Sequence, residues 1–159
     1  MERKMTIRDK VLSSDVQRVR EILQSTGFFY PDEIKVAEEL VRDGTHAGSE
    51  YRFFFVEENA EVVGFTCYGQ IALTRSSFDL YWIAVSRSFQ SKGVGRYLLE
   101  TTESAIRSMG GTRVYIETSS RELYESTRAF YLAQGYEEAA ILTDFYAPGD
   151  DKVMYVKVF

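Results

Sequence analysis

The sequence predicts an α/β (α+β) fold in a single domain spanning residues 1–159. Three observations predict it. Segments of period two and segments of helical period follow one another as β, α, α, β, β, β, α, β, α, β, β, about seven strands and about four helices. Hydrophobic residues make up 45% of the chain and aromatics 14%, which is enough for a buried core and too much for a disordered chain. No repeat, low-complexity tract or Pro/Gly-rich linker divides the 159 residues.

The elements follow from local signals. Thr6 to Leu12 reads as a first strand. Ser13-Ser14-Asp15 opens a helix, with Gln17 as the capping-box partner of Ser14, and Val16, Val19, Ile22 and Leu23 keep helical spacing to about Ser25. Thr26 to Tyr30 is an aromatic loop. Pro31 suits a first helical position, and Ile34, Val36, Ala37 and Leu40 carry a second helix to Val41. Tyr51 to Val56, a turn at Glu57 to Ala60 and Glu61 to Gly69 read as a hairpin, and Phe78 to Val85 as the next strand. Val94, Tyr97, Leu98, Thr101, Ala105 and Met109 mark one face of a helix that Gly110-Gly111 ends. Val114 to Thr118 is a strand. Leu123, Tyr124, Thr127, Phe130 and Tyr131 mark a last helix, closed by Gly135. Tyr136 to Phe145 and Lys152 to Phe159 are two final strands around a turn at Ala147 to Asp150.

Composition narrows the function classes. No apolar run approaches the roughly 18 residues that span a membrane, so no membrane partner is expected. The charged start, Met1 to Thr6, has no apolar stretch behind it, which predicts no signal peptide and a cytoplasmic location. One cysteine, Cys67, permits no intrachain disulfide and suits a reducing compartment. One histidine, His46, and one cysteine are too few for a common zinc site, so no metal is expected. A pI near 5.0 argues against nucleic acid as a partner.

The chemistry centres on Phe78 to Leu99. An apolar strand runs into a short polar loop that ends in Gly93-Val94-Gly95, and a helical pattern begins at once. The first N–H groups of a helix have no intrahelical acceptor, and the helix dipole places positive charge at that tip, so this order of elements makes an anion site. Arg87, Lys92 and Arg96 lie in it, and Ser86 to Leu99 holds no acid although the chain carries net charge -5. A dinucleotide loop would want a third glycine where Leu98 stands, and a phosphate loop of the Gly-Lys-Ser/Thr type is absent.

Gln90-Ser91-Lys92-Gly93-Val94-Gly95 resembles the Q/R-x-x-G-x-G/A signature of the GNAT superfamily of acetyl-CoA-dependent N-acetyltransferases, with Ile83-Ala84-Val85 as the strand end before it. The order of elements is that of the GNAT fold, so the resemblance covers essentially the whole chain. It implies a mixed central sheet flanked by helices, in which strands 78–85 and 114–118 splay apart to admit pantetheine. It implies backbone N–H groups of Ser91 to Arg96 around the pyrophosphate, with Gln90 beginning the loop. Ile83, Ala84 and Val85 would bond the pantetheine amides, and an N–H near Val85 would polarise the thioester carbonyl. Phe130-Tyr131-Leu132-Ala133-Gln134-Gly135-Tyr136 resembles the family's F/L-Y-x-x-x-G-F/Y segment, which makes Tyr131 the expected proton donor to the leaving thiolate. Where many members carry an asparagine contact to CoA this chain has Tyr124, leaving Ser126 or Arg128 as substitutes.

An amine with a pKa of about 10.4 costs roughly 4.6 kcal/mol to hold neutral at pH 7, so a base or a desolvating pocket is useful. Asp79, on the strand side shared by Tyr81, Ile83 and Val85 at period two, is the first candidate base. Its position matches the glutamate of the family's protein-acetylating branch. Glu117 is the second candidate, and a water chain the third. The family uses the segment Phe28-Phe29-Tyr30 to line the acceptor pocket. Phe29, Tyr30 and Tyr81 are the expected acceptor contacts, and Tyr68, Gln70 and Tyr146 could add to them, since aromatic faces favour a cationic amine. Cys67 has no histidine partner, so direct transfer in a ternary complex is expected over a covalent intermediate. The expected reaction moves acetyl from acetyl-CoA to a primary amine of a small molecule. A protein or peptide N-acetyltransferase, or a non-catalytic acyl-CoA-binding module, are the alternatives. Final strands such as Lys152–Phe159 can pair between subunits in this family, so a homodimer is compatible with the sequence.

Overall fold

The computed structural model describes residues 4–159; the first three residues, where the segment read for a leader begins, lie outside the described part. The elements are β1 (Met5–Arg8), α1 (Asp15–Thr26), α2 (Pro31–Gly44), β2 (Arg52–Glu58), β3 (Glu61–Gln70), β4 (Ser77–Val85), α3 (Val94–Ser108), β5 (Arg113–Ser119), α4 (Glu125–Ala133), β6 (Glu137–Ala147) and β7 (Asp150–Val158), with 3-10 turns at Arg87–Phe89 and Glu122–Tyr124. The strands bond in the order β1-β2-β3-β4-β5-β7-β6. The sheet is mixed: β4 and β5 are parallel, and β1–β2, β2–β3, β5–β7 and β6–β7 are antiparallel. The chain divides into two compact units. One is the chain up to Gly69 with Trp82–Ala105; the other is Gln70–Tyr81 with Ile106–Phe159.

In the first unit, α1 and α2 bury Val19, Ile22, Leu23, Ile34, Ala37 and Val41 against Phe53, Phe55, Phe65 and Cys67 of the β2–β3 hairpin. The three- and four-residue spacings set those helical residues on one face each, and the alternate strand residues meet them. Val56 and Val63 instead cluster with Val94 and Leu98 of α3. Gly64 makes this possible: a Cβ there would stand 3.0 Å from Leu98 Cδ1 and 3.1 Å from the Ala84 carbonyl. The first turn of α3 therefore sits down on the sheet, which fixes the loop in front of it.

In the second unit, β4 and β5 pair over Ser77–Leu80 and Arg113–Ile116. Beyond Ile116, β5 continues against β7, Glu117 opposite Met154 and Ser119 opposite Lys152. Tyr131 of α4 packs its ring against Tyr136 and Tyr155, with centroids at 6.2 and 5.8 Å.

Several local readings change. The first strand ends at Arg8, not Leu12, because residues 9–14 fold around Asp15. Asp15 accepts the Leu12 N–H (2.8 Å) and both ends of the Arg8 guanidinium (2.8 and 2.9 Å). The Ser14–Gln17 capping box does not form. Ser14 is helical (φ -67, ψ -18) with no side-chain cap, and Gln17 donates to Glu21 instead. A capping-box bond appears at α2, where the Tyr30 N–H donates to Glu33 (3.1 Å). The buried face of α3 is Val94, Leu98, Leu99, Thr102 and Ile106; Tyr97 and Met109 from the expected stripe are exposed. Thr102 is there because its hydroxyl meets Thr66 of β3 at 2.8 Å, a paired polar contact inside the core. The last helix starts late, after the 3-10 turn, and Leu123 is exposed.

Candidate active site

The first unit carries the stretch expected to bind the cofactor. At the end of β4 the Ser86 N–H donates to the Val63 carbonyl (2.8 Å), so the chain leaves the sheet only after Ser86. It then makes the 3-10 turn, closed by the Phe89 N–H to the Ser86 carbonyl (2.8 Å). The Gln90 side chain reaches back and donates Nε2–H to the Val85 carbonyl (3.1 Å). Ser91 (φ 60) and Gly93 (φ 84) take left-handed conformations, and the chain enters α3. A Cβ at Gly93 would meet nothing within 4 Å. The glycine is there for the backbone, and the space in front of the turn is open. The Tyr97 N–H donates to the Gly93 carbonyl (3.0 Å). By helix geometry the donors before it have no carbonyl of α3 to bond. Val94 itself is 2% exposed, and its side chain anchors the helix in the core.

The cations around this turn are not equally available. Arg96 pairs with Glu100 at 2.8 Å, both largely exposed. Lys92 lies 5.4 Å from the centre of the Phe89 ring. No acid stands in the first turn of α3. Of the strand residues, Ala84 is buried and Ile83 and Val85 are half-buried.

The acceptor-segment residues in this unit divide. Phe29 packs on Trp82 of β4, rings 5.2 Å apart, and joins the core under α1 and α2. Tyr30 is 59% exposed. Tyr68 is buried and stacked on Phe54 (5.7 Å), and burial pushes its phenol up to about 12. Cys67 is buried and its thiol is pushed up by burial, which suits packing and not nucleophilic attack.

The second unit carries the acid–base candidates. The register puts Asp79 opposite Tyr115, so Asp79 and Glu117, two residues on, share one face of the sheet. Asp79 has no hydrogen bond or ion pair among the described residues. Burial raises its carboxyl, the charge of Glu117 adds to this and Lys152 offsets it, leaving a pKa of about 6. Glu117 is differently placed: Lys152 Nζ stands 2.9 Å from its Oε2. Tyr131 is 5% exposed, and its hydroxyl makes no hydrogen bond among the described residues. Burial and the neighbouring Tyr155 push its phenol well above the usual value, so it stays protonated at neutral pH, as a donor must. Tyr81 is 40% exposed. Gln70 is tied to its own loop through the Thr74 and Arg75 carbonyls. Arg128, a suggested CoA contact, has its Nη1 committed to the carbonyls of Ser119 and Arg121 (2.8 Å each); Ser126 is exposed.

A family model described as the acetyltransferase (GNAT) family matches residues 16–136. The chain belongs to the GNAT family. It is an acyltransferase of that family with a mixed seven-stranded sheet and four helices. A GNAT-family protein from Desulfovibrio desulfuricans is 39% identical and superposes with a TM-score of 0.95, over 98% of this chain and 99% of that one. Two more distant structures share the fold at a TM-score of 0.78. The ribosomal-protein-S18-alanine N-acetyltransferase from Escherichia coli is 22% identical, covering 98% of this chain and 94% of that one. An aminoglycoside 6'-N-acetyltransferase complexed with coenzyme A is 19% identical, covering 98% and 96%. No curated protein matches the chain. Among the described residues, no helix of this GNAT chain is long and apolar enough to cross a membrane.

Sequence reasoning did not single out three residues of these two regions. Ser25 accepts the Arg87 N–H, Trp82 lies under Phe29, and Lys152 is the counter-ion of Glu117. Each depends on a contact between distant segments, and only the strand register would have exposed the last.

Proposed function

We propose that this GNAT protein is a cytoplasmic N-acetyltransferase that moves an acetyl group from acetyl-CoA to a primary amine of a small molecule by direct attack in a ternary complex. The observation that carries the reading is the open left-handed turn at Ser91 and Gly93, which leads into a helix N-terminus without acids. The pyrophosphate binds on the backbone N–H groups from Ser91 to Arg96, and no side chain at Gly93 stands in its way. Ile83 to Val85 bond the pantetheine amides as a further strand would. The Val85 N–H polarises the thioester carbonyl.

In this reading Asp79 takes the proton of the acceptor ammonium. A carboxyl with a pKa of about 6 is largely ionised at pH 7 and close enough to that pH to accept and pass on a proton. The neutral amine attacks the carbonyl carbon, the C–S bond breaks, and Tyr131 gives its proton to the departing thiolate. A small acceptor is favoured because Phe29 is folded down on Trp82, which makes that segment a wall instead of an open groove. By their names, the two distant relatives act on a protein alanine and on an aminoglycoside. Fold likeness therefore does not choose between the acceptor classes, and the choice rests on Phe29.

Calorimetry with acetyl-CoA and with CoA, on wild type and Gly93→Glu, tests the cofactor site. Micromolar binding lost in the variant is expected, and no binding by wild type overturns the reading. A panel of small amines and amino-terminal peptides, assayed for CoA release, then tests the acceptor class. Turnover confined to the peptides removes the small-amine assignment.

A further inference from the structure

The face of the second unit that carries Asp79 also carries Glu117, and these two carboxylates have unequal surroundings. Glu117 has a counter-ion and Asp79 has none among the described residues. The difference comes from where β7 begins. Ser119 is paired with Lys152, so Lys152 stands diagonal to Glu117 on the same face. The start of β7 is pinned there from both sides. The Ser120 N–H donates to the Asp151 carbonyl (2.9 Å), and the Asp151 N–H donates to Ser120 Oγ (2.8 Å).

The hairpin supplies the other wall. Register is lost between Leu142 and Ala147, and Asp144 adopts a left-handed conformation (φ 54) within that bulge. Its carboxylate accepts the Gly149 N–H (2.8 Å), and its own N–H donates to Asp151 Oδ1 (2.9 Å). The bulge brings the Phe145 ring over Lys152, with Nζ 4.3 Å from the ring centre. The ammonium is thus held between a carboxylate and an aromatic face, and its side chain is only 13% exposed. A lysine at a free sheet surface would not be fixed in this way.

We propose that Lys152 is a positioning residue that divides the roles of these two carboxylates: it holds the Glu117 carboxylate in an ion pair, and so leaves Asp79 as the group that exchanges a proton with the acceptor. The proposal rests on the acetyl-transfer reading above. Charged and titratable groups on this face are Tyr81 on β4, Arg113, Tyr115 and Glu117 on β5, Lys152 on β7 and Glu137 on β6. Without Lys152, the unbalanced charge of Glu117 and the loss of a cation act in the same direction. Both favour the protonated form of Asp79, so that a smaller share of it is free to accept a proton at neutral pH.

The test needs no knowledge of the acceptor. The carboxyl carbons of ¹³C-labelled aspartates are titrated by NMR, and Asp79 is assigned by the signal missing in Asp79→Asn. Lys152→Met is expected to move the Asp79 midpoint upward by roughly half a pH unit or more, and Lys152→Gln to do the same. Lys152→Arg, which keeps the cation, is expected to leave it near the wild-type value. A midpoint unmoved in both Met and Gln variants overturns the proposal, as does an equal shift in Lys152→Arg. The acid limb of the pH–rate profile, read with acetyl-CoA and a responsive amine from the panel, separates the two claims. A limb that follows the NMR midpoint supports both. A limb that persists in Asp79→Asn removes the base assignment and the division of roles with it, whereas a midpoint that does not respond to Lys152 removes only the latter.

Discussion

The hydroxyl of Ser25, in the last turn of α1, accepts the backbone N–H of Arg87 at 3.1 Å and donates to the Ile22 carbonyl at 2.6 Å. Arg87 begins the loop that leads to Gly93, and Ser25 is three residues ahead of Phe28. One side chain therefore ties the loop that leads to Gly93 to the helix that precedes Phe28. Ser25→Ala removes the acceptor of that N–H. A single hydrogen bond of this kind is worth about 1 kcal/mol, or about fivefold in a binding constant. Acetyl-CoA affinity is expected to fall by that factor in Ser25→Ala and to be kept in Ser25→Thr. Calorimetry on the two variants checks this, and equal affinities in wild type and Ser25→Ala would rule out the tie.

Asp79 is expected to cost stability. Its folded pKa, about 6, is above the ordinary carboxylate value of 3.8. The folded protein therefore holds a proton that the unfolded chain releases between those values, and stability falls as pH rises through that window. Below pH 4 the effect is absent; above pH 6 it is complete. Asp79→Asn should accordingly stabilise the protein at pH 8 by on the order of 1 kcal/mol, after allowance for the carboxylate's partial exposure. Little gain should remain at pH 4. Urea titrations at the two pH values check the sign, and a gain equal at both would mean that ionisation is not its source.

Tyr131→Phe keeps the ring packing against Tyr136 and Tyr155 and removes only the hydroxyl. Under the proton-donor role, turnover falls by roughly a hundredfold or more, while acetyl-CoA binding stays at the wild-type level. Turnover equal to wild type would leave Tyr131 as a packing residue.

Gly111→Ala tests the packing where α3 hands over to β5. The added Cβ would stand 2.3 Å from Ile106 Cγ2 and 2.9 Å from both the Ile106 carbonyl and Phe78 Cδ1. Two of these are backbone or buried ring atoms, so the neighbours cannot yield cheaply. A loss of about 1–3 kcal/mol is expected, seen as a lower midpoint in thermal melts, and an unchanged midpoint would show that the turn relaxes.

The order of the elements was legible because hydrophobic period, Gly and Pro positions mark each segment separately. The Gln90–Gly95 turn was legible for the same reason: its glycine sits where the backbone needs it. What the sequence did not disclose depends on contacts between distant segments. The stripe through Tyr97 and Met109 fits helical spacing as well as the true buried face does. Only the seat on Gly64 and the Thr66–Thr102 hydroxyl pair select the face through Leu98, Leu99 and Ile106. Ser14 and Gln17 carry the right letters for a cap, but Asp15 takes the Leu12 N–H and the Arg8 guanidinium and sets the helix start itself. Glu117 and Asp79 look alike along the chain, and the register that gives Lys152 to one of them is invisible there.

Trp82 is the chain's one tryptophan, and it stands on β4 immediately before Ile83, packed against Phe29 with the rings tilted. All indole emission from this protein thus originates at one place, on the strand that would take pantetheine and under the wall that would face the acceptor. An optical reporter is already built in, so cofactor and acceptor titrations can be followed in the unlabelled wild-type protein, without a chromogenic thiol reaction.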